Sequence, residues 1–435
     1  MRNSTKYRNY VPYPFWAMDQ GFFFKYANDL RGNNRTILQY YPFKWAYVPP
    51  HDGPSGMEFL KDIGVDDGNV TVEAVEDIHE KMTSLEELMQ QGVVQWGGDI
   101  LENMPPPGFR MIPEWEPMTG VLLNWPTLYP PLWEMFRQMM SALDHVTTFL
   151  RIGEGYLGAS VLAWLEAHGI DLEKIRPIPG PLGDSWARDY SPLYGVNTYS
   201  GEPVAHQFAF AAFWPEYRIQ NRSIVDIDDQ FIWKDGFQVY RSDILLDGGA
   251  ILTDGNGTYV ITRRILSDNL HIDNLYARLE AWLGVGRLIV VDEEPGDILG
   301  HINHFKFISP RKILVGRPDK KGTPLYKYLD NLSKLFTQKG YEVIHLPCPE
   351  GFDHELPGGD CTHTALYANS LMMNNRVLIT TFDEPGMEKY NQEAFGIYRQ
   401  SLPDYEVIPV ESTVQTNAGG AINCSSKEIP RIAHS

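Results

Sequence analysis

Cysteine is scarce in this chain, which has three in 435 residues, at positions 348, 361 and 424. Three cysteines exclude a disulfide framework. At most Cys348 and Cys361 pair, leaving one thiol, Cys424, free. Long apolar runs are missing as well. None approaches the ~20 residues a membrane span needs, so no membrane partner is expected. No glycine-rich phosphate loop of either standard type opens a helix, which argues against nucleotide binding. Basic side chains are outnumbered, 37 Lys and Arg against 56 Asp and Glu, for a net charge of −19. That balance disfavours nucleic acid and anionic membranes and favours a cationic ligand.

What is present describes an ordinary globular protein with an aromatic surplus. Hydrophobic residues make up 43% and charged residues 21%, while aromatics reach 12% with 11 Trp and 23 Tyr. Those proportions support a large core and deep pockets rather than disorder. Seven Asn-x-Ser/Thr sequons begin at Asn3, Asn34, Asn69, Asn221, Asn256, Asn331 and Asn423, where roughly two are expected by chance. The excess leans towards a mature secreted protein whose leader is absent, with a cytoplasmic location as the alternative.

Residues 1–109 differ from the rest. They are aromatic and loop-rich, with a polar helical pattern in VEAVEDIHEKMTSLEELMQQG, and they end at PPPGF, which stops helices and ladders alike. They form an N-terminal extension of unassigned role. From residue 110 to 435, short apolar strands alternate with amphipathic helices: TGVLLNWP, LWEMFRQMMSALDHV, TTFLRIG, GASVLAWLEAHGI, and so on to RVLITTF and YEVIPV. Asn256-Gly257 signals a hairpin turn. The fold class is α/β, built from similar strand–helix units of ~50–70 residues.

Four stretches put reactive side chains near strand ends. DSWARDYSP carries Trp186, Arg188 and Asp189, and LLDGGAILTDGNGT carries Asp247. GDILGHINHFKF carries Asp297, His301 and Asn303, and GGAINCSSKEIP carries Cys424. Individually each has an ordinary explanation: a turn, a hydrogen-bonded core histidine, an Arg188–Asp189 charge pair, a buried small thiol. Together they are the parts of a nucleophilic site, because a cysteine needs a base and carboxylates supplied from elsewhere in the chain.

In order and spacing these motifs resemble the guanidine-modifying, pentein-fold superfamily, in its branch of agmatine deiminases and bacterial-type peptidylarginine deiminases. The resemblance runs from MIPEWEPMTGVLLNWP through WARDYSP, DGGAILTDGNGTYVIT, GHINHFKFI and LYANSLMMNNRVLI to GGAINCSSKEIP, roughly residues 110–430. It implies a five-bladed α/β propeller with the site on its axis and no metal or organic cofactor. It also implies a hydrolase that converts a guanidino group of a small molecule or a peptide arginine to a ureido product. By that resemblance Cys424 is the nucleophile, His301 the general acid and then base, and Asp189 a carboxylate clamp. Trp186, Asp247 and Asn303 would line the substrate.

The sequence departs from the family at three points: Asn303 stands for an aspartate, Asp247 for a glutamate, and Asn423 for a histidine. Asn303 matters most, since its oxygen accepts one guanidinium N–H but its NH₂ opposes a second donor. Either another acid supplies the charge, or the substrate differs, or the site is weakened. Arg218 and Arg222 are candidate partners for a substrate carboxylate, or else solvated loop arginines. The agmatine enzymes' Asn-Phe-Asn-Gly-Trp-Gly run is absent, which tilts the reading towards peptidyl-arginine or an unusual guanidine. DHELPGGDCTH matches no zinc spacing and reads as a loop bordering the entrance. Two alternatives remain: an amidinotransferase sharing the covalent intermediate, and a silent propeller that only binds.

Overall fold

One arrangement of three strands recurs along the chain of the computed structural model. Ile251–Thr253 runs antiparallel to Thr258–Thr262, which pairs in parallel with Arg287–Val291. Phe305–Ser309, Lys312–Pro318 and Glu342–Cys348 repeat that order, as do Leu371–Met373, Arg376–Thr381 and Glu406–Glu411. Leu193–Asn197, Pro203–Ala209 and Gln238–Leu245 give it again, with Phe109–Met111 added at the edge. A hairpin can join the antiparallel pair, but the parallel pair needs a crossover. Leu275–Leu283, Pro324–Gln338 and Glu388–Ser401 supply helical crossovers in three of the units.

The structure describes residues 10–12, 45–47, 60–61, 64–82, 87, 90, 104–127, 130–153, 155–179, 185–209, 236–297, 299–352, 363–417 and 419–431. The chain groups into two units. One comprises residues 1–93, 123–185 and 353–362, and the other 94–122, 186–352 and 363–435. In the first, Thr147–Ile152 and Ile175–Pro179 pair in parallel around the helix Gly155–Ala167. The helix Val72–Lys81, capped by Thr71, packs there through Tyr156, which stacks on His79 and donates to Glu76 at 3.0 Å. Among the described residues no helix is long and apolar enough to cross a membrane.

Local chemistry explains the elements of the second unit. The helix Pro324–Gln338 starts where Thr323 Oγ1 accepts the Tyr326 N–H at 3.2 Å and Pro324 takes the first turn. Leu325, Leu329, Leu332 and Phe336 then fall on one face and pack against the buried strand residues Ile313 and Val315. The expected Asn256-Gly257 turn joins Ile251–Thr253 to Thr258–Thr262, held by Asp254 Oδ1, which accepts the N–H groups of Asn256 and Thr258. Gly284 ends its helix at φ +63°, and a β-carbon there would lie 1.9 Å from the Phe109 carbonyl oxygen. The final strand, Ser426–Pro430, is a sheet neighbour of Met118–Asn124, and Arg431 donates its N–H to the Pro117 carbonyl at 2.9 Å.

Candidate active site

The first strand of each repeat is preceded by a turn, and those turns carry the reactive side chains. Asp189, Asp247 and His301 each lie four residues before their strand. Asn303, Asn369 and Cys424 each lie two residues before theirs. The turns bond to one another through the backbone. Ile302 N–H donates to Gly249 O at 2.8 Å, Asn423 N–H to Asn369 O at 3.2 Å, and Arg188 N–H to Cys424 O at 3.1 Å. Equivalent positions in successive units are thereby brought to one place.

Cys424 and Cys348 are both buried free thiols, so the conceivable Cys348–Cys361 bridge is not made; Cys361 itself lies outside the described residues. Asn369 Nδ2 donates to Cys424 Sγ at 3.1 Å, while Asn369 Oδ1 accepts the Asn423 and Cys424 N–H groups at 2.9 and 3.2 Å. One amide thus fixes the Cys424 backbone and points a donor at its sulfur. Burial, then the charge of Asp189, pushes the Cys424 thiol up to about 11 against the help of Asn369. Without a cation beside it, the sulfur at neutral pH is a thiol rather than a thiolate.

His301 lies between two acids, with Nε2 3.3 Å from Asp247 Oδ2 and Nδ1 3.7 Å from Asp189 Oδ1. Burial alone would strip its proton, but Asp189 and Asp247 overcome that and raise it to about 10. Asp189 is itself raised to about 7, by burial foremost, with the charge of His301 pulling the other way. Asp189 Oδ1 is buried and has no hydrogen-bond partner among the described residues. A carboxylate oxygen in that condition is costly unless a donor arrives. Gly249 provides the room, for a β-carbon there would sit 2.8 Å from Asp189 Oδ1 and 2.9 Å from the His301 ring.

Asn303 differs from its expectation in one respect. Its NH₂ does not oppose a donor in the pocket but donates to Asp297 Oδ2 at 2.9 Å. Asp297, which only accepts, therefore orients the amide. Asn303 Oδ1 faces Asn369 Nδ2 at 3.2 Å and Cys424 Sγ at 3.7 Å. The other Asp297 oxygen accepts the Leu299 and Gly300 N–H groups at 2.7 and 2.6 Å, which fixes the turn leading to His301. Trp186 is buried against Gly420, where a β-carbon would lie 2.4 Å from the indole and 3.0 Å from Cys424 Cβ.

Arg188 does not pair with Asp189. Its guanidinium chelates Glu428, with Nη1 at 3.0 Å from Oε2 and Nη2 donating to Oε1, and its Nε donates to Asn423 O at 3.0 Å. Burial opposes the Arg188 charge, yet Glu428 and Glu114 raise its pKa further. Arg188 is thus a brace for the Cys424 turn. Arg218 and Arg222 lie outside the described residues, as do residues 353–362 of the expected entrance loop. No group of three metal-binding side chains occurs among the described residues.

Asn369, Glu114 and Glu428 were not singled out by sequence reasoning. All three stand inside the family-like motifs, Asn369 in LYANSLMMNN, Glu114 in MIPEWEP and Glu428 in GGAINCSSKEIP, but neither an amide nor a lone glutamate announces chemistry by type.

The family model for Porphyromonas-type peptidyl-arginine deiminase matches residues 110–430. An agmatine deiminase of Medicago truncatula is 24% identical over 391 residues, covering 76% of this chain and 99% of the relative. The structure is similar to that of C. jejuni agmatine deiminase, with a TM-score of 0.63, 18% identity, and 75% and 97% of the two chains covered. It is also similar to an agmatine deiminase of Enterococcus faecalis, with a TM-score of 0.60, 20% identity and the same coverage. The fold is mixed α/β of the kind these deiminases share. With more than half of its length matched, the chain belongs to the Porphyromonas-type peptidyl-arginine deiminase family.

Proposed function

We propose that the pocket around Cys424 binds a guanidinium cation and hydrolyses it to a ureido product and ammonia, making the chain a hydrolase of C–N bonds in linear amidines. The observation that carries this is the buried, unbonded Oδ1 of Asp189 beside Cys424's turn and His301. A planar cation with paired N–H donors supplies what that oxygen lacks. Its positive charge also lowers the cost of the Cys424 thiolate, which burial otherwise forbids.

The steps follow from the groups present. As the cation binds, the Cys424 thiol gives up its proton to solvent, the thiolate adds to the guanidinium carbon, and Asp189 holds the N–H groups of the bound cation. His301, protonated at neutral pH, gives its proton to the departing nitrogen as the carbon–nitrogen bond breaks, leaving a thiouronium on Cys424. Water replaces the ammonia, and His301 takes one of its protons as the oxygen bonds to the thiouronium carbon. Collapse of that adduct breaks the carbon–sulfur bond, expelling the thiolate and leaving a C=O as the remaining proton passes to solvent. Asn303 contributes a neutral oxygen, with the charge of Asp297 behind it. Asn369 steadies the sulfur.

Four repeats of one three-strand arrangement, with Cys424 standing before its strand as Asn303 and Asn369 stand before theirs, support a reading of residues 110–435 as a five-bladed propeller, preceded by an extension of 1–109. The relatives' names favour agmatine and the family's name favours peptide arginine, while Asn303, with its NH₂ held by Asp297, offers the pocket an acceptor oxygen that either guanidine can use.

The test is release of ammonia and ureido product from agmatine, free arginine, methylated arginines and arginine peptides. Cys424→Ala is expected to lower turnover by about 10³–10⁶-fold without loss of folding. Equal turnover by wild type and Cys424→Ala, or none from wild type on any of these substrates, overturns the reading. An amine acceptor that replaces water in the product would identify an amidinotransferase.

A further inference from the structure

Beyond Gly248, Gly249 and Asn423 lies a cavity of about 50 Å³ that Cys424, His301, Asp189 and Asp247 do not line. Its charged lining is Glu114, Arg188, Lys306, Lys427 and Glu428. Four of these five are matched. Lys306 Nζ donates to both Glu114 oxygens at 2.6 and 2.5 Å and to Ser370 O at 2.7 Å, and Arg188 chelates Glu428. Lys427 is the remainder. It is 2% exposed, its Nζ lies 6.0 Å from the centre of the Tyr194 ring, and Glu428 and Glu114 act on it through their charge.

We propose that this cavity binds one small monovalent inorganic anion, such as a halide, on Lys427. Three cations face two carboxylates, so a single negative charge completes the balance. On the same measure one water needs about 10–15 Å³, so the cavity has room for an ion of one to a few atoms. Lacking such an ion, the buried amine is driven towards its neutral form. Burial and the charges of Arg188 and Lys306 push Lys427 down to about 7, against Glu428 and Glu114. Anion and proton therefore enter together above neutral pH, and anion affinity falls as pH rises past about 7. The bound ion would stiffen the Arg188–Asn423 brace that carries Cys424.

Two measurements on the full chain decide this. The first is the melting midpoint in sodium chloride against sodium gluconate at equal ionic strength, for wild type and Lys427→Met. Wild type at pH 7 should gain about 2–4 °C, saturably and only in chloride, with a smaller gain at pH 9 and none in Lys427→Met. The second, which needs no variant, is anomalous diffraction from crystals grown in bromide, where a peak is expected within hydrogen-bond reach of Lys427 Nζ. No chloride-specific gain in wild type, an equal gain in Lys427→Met, or no bromide at Lys427 overturns the proposal.

Discussion

Two clusters of buried charge lie on either side of the Cys424 turn, and they are composed in opposite ways. Around His301 stand Asp189, Asp247 and Asp297, three acids to one imidazole, with one carboxylate oxygen left unbonded. Around Arg188 and Lys306 stand Glu114 and Glu428, each carboxylate claimed by a cation at hydrogen-bond distance. Matched buried pairs return most of what their desolvation costs, and losing one partner leaves an orphan charge. An unmatched cluster retains its cost until a ligand of the opposite sign arrives. On the proposed reading the first cluster is a receptor for a cation, and the second, Lys427 aside, is scaffold.

The contrast is broken most severely from the scaffold side. Glu428→Gln strands the Arg188 guanidinium and should cost about 3–5 kcal/mol of stability, read by urea or thermal unfolding. Glu428 is held down at about 2 by Arg188 despite burial. Its stabilising share is therefore complete above the ordinary glutamate value of about 4.3 and is lost as pH falls towards 2. The variant should lose that part of the acid dependence. A Glu428→Gln protein as stable as wild type would mean the pair is not structural.

Asp189→Asn should do the reverse. It removes a carboxylate that is costly in the empty site, so stability is expected to hold or rise, while kcat/KM falls by about 10²–10³-fold. Joint loss of stability and activity would erase the distinction between the clusters. A smaller effect is expected at Asn369. Removing its donor to Cys424 Sγ with Asn369→Ala should lower kcat by about 10-fold or somewhat more, with KM little changed. An equal change in KM would assign it to substrate binding instead.

Smallest and most diagnostic is the pH profile of kcat/KM. Asp189, raised to about 7, must be ionised, and His301, raised to about 10, must keep its proton. Cys424, raised to about 11, must also lose its proton, so the rate should rise through an acid limb near pH 7, continue upward more gently to about 10 and fall only above about 11. In Asp189→Asn the acid limb should disappear, and the alkaline limb should move down as His301 loses a neighbouring charge.

Much of this was legible in the sequence. The Gly155–Ala167 helix, the Asn256-Gly257 hairpin and the alternation of strands and helices follow from periodicity and turn chemistry within a few residues of chain. Cys424, His301 and Asp189 were legible because their side chains are scarce or reactive and their motifs resemble a family. What stayed hidden was pairing across distance. Arg188 finds Glu428, 240 positions away, rather than its neighbour Asp189, and Lys306 finds Glu114 at 192. Both choices depend on which turns face the same centre. The equivalence of Asp189, Asp247 and His301 was invisible for the same reason, since the offset of four residues has meaning only once the strand starts are known. Asn303 also looked more damaging in sequence than in space, because Asp297 takes up its NH₂.

The most direct test of the cation-receptor reading is the rate at which Cys424 is alkylated at pH 7 by a cationic haloacetamidine and by neutral iodoacetamide, with peptide mapping of the modified residue. A thiol raised to about 11 and surrounded by acids should be slow towards the neutral reagent and selectively fast towards the cationic one, and Asp189→Asn should abolish the preference. Equal rates for the two reagents, or a preference that survives Asp189→Asn, would contradict the account.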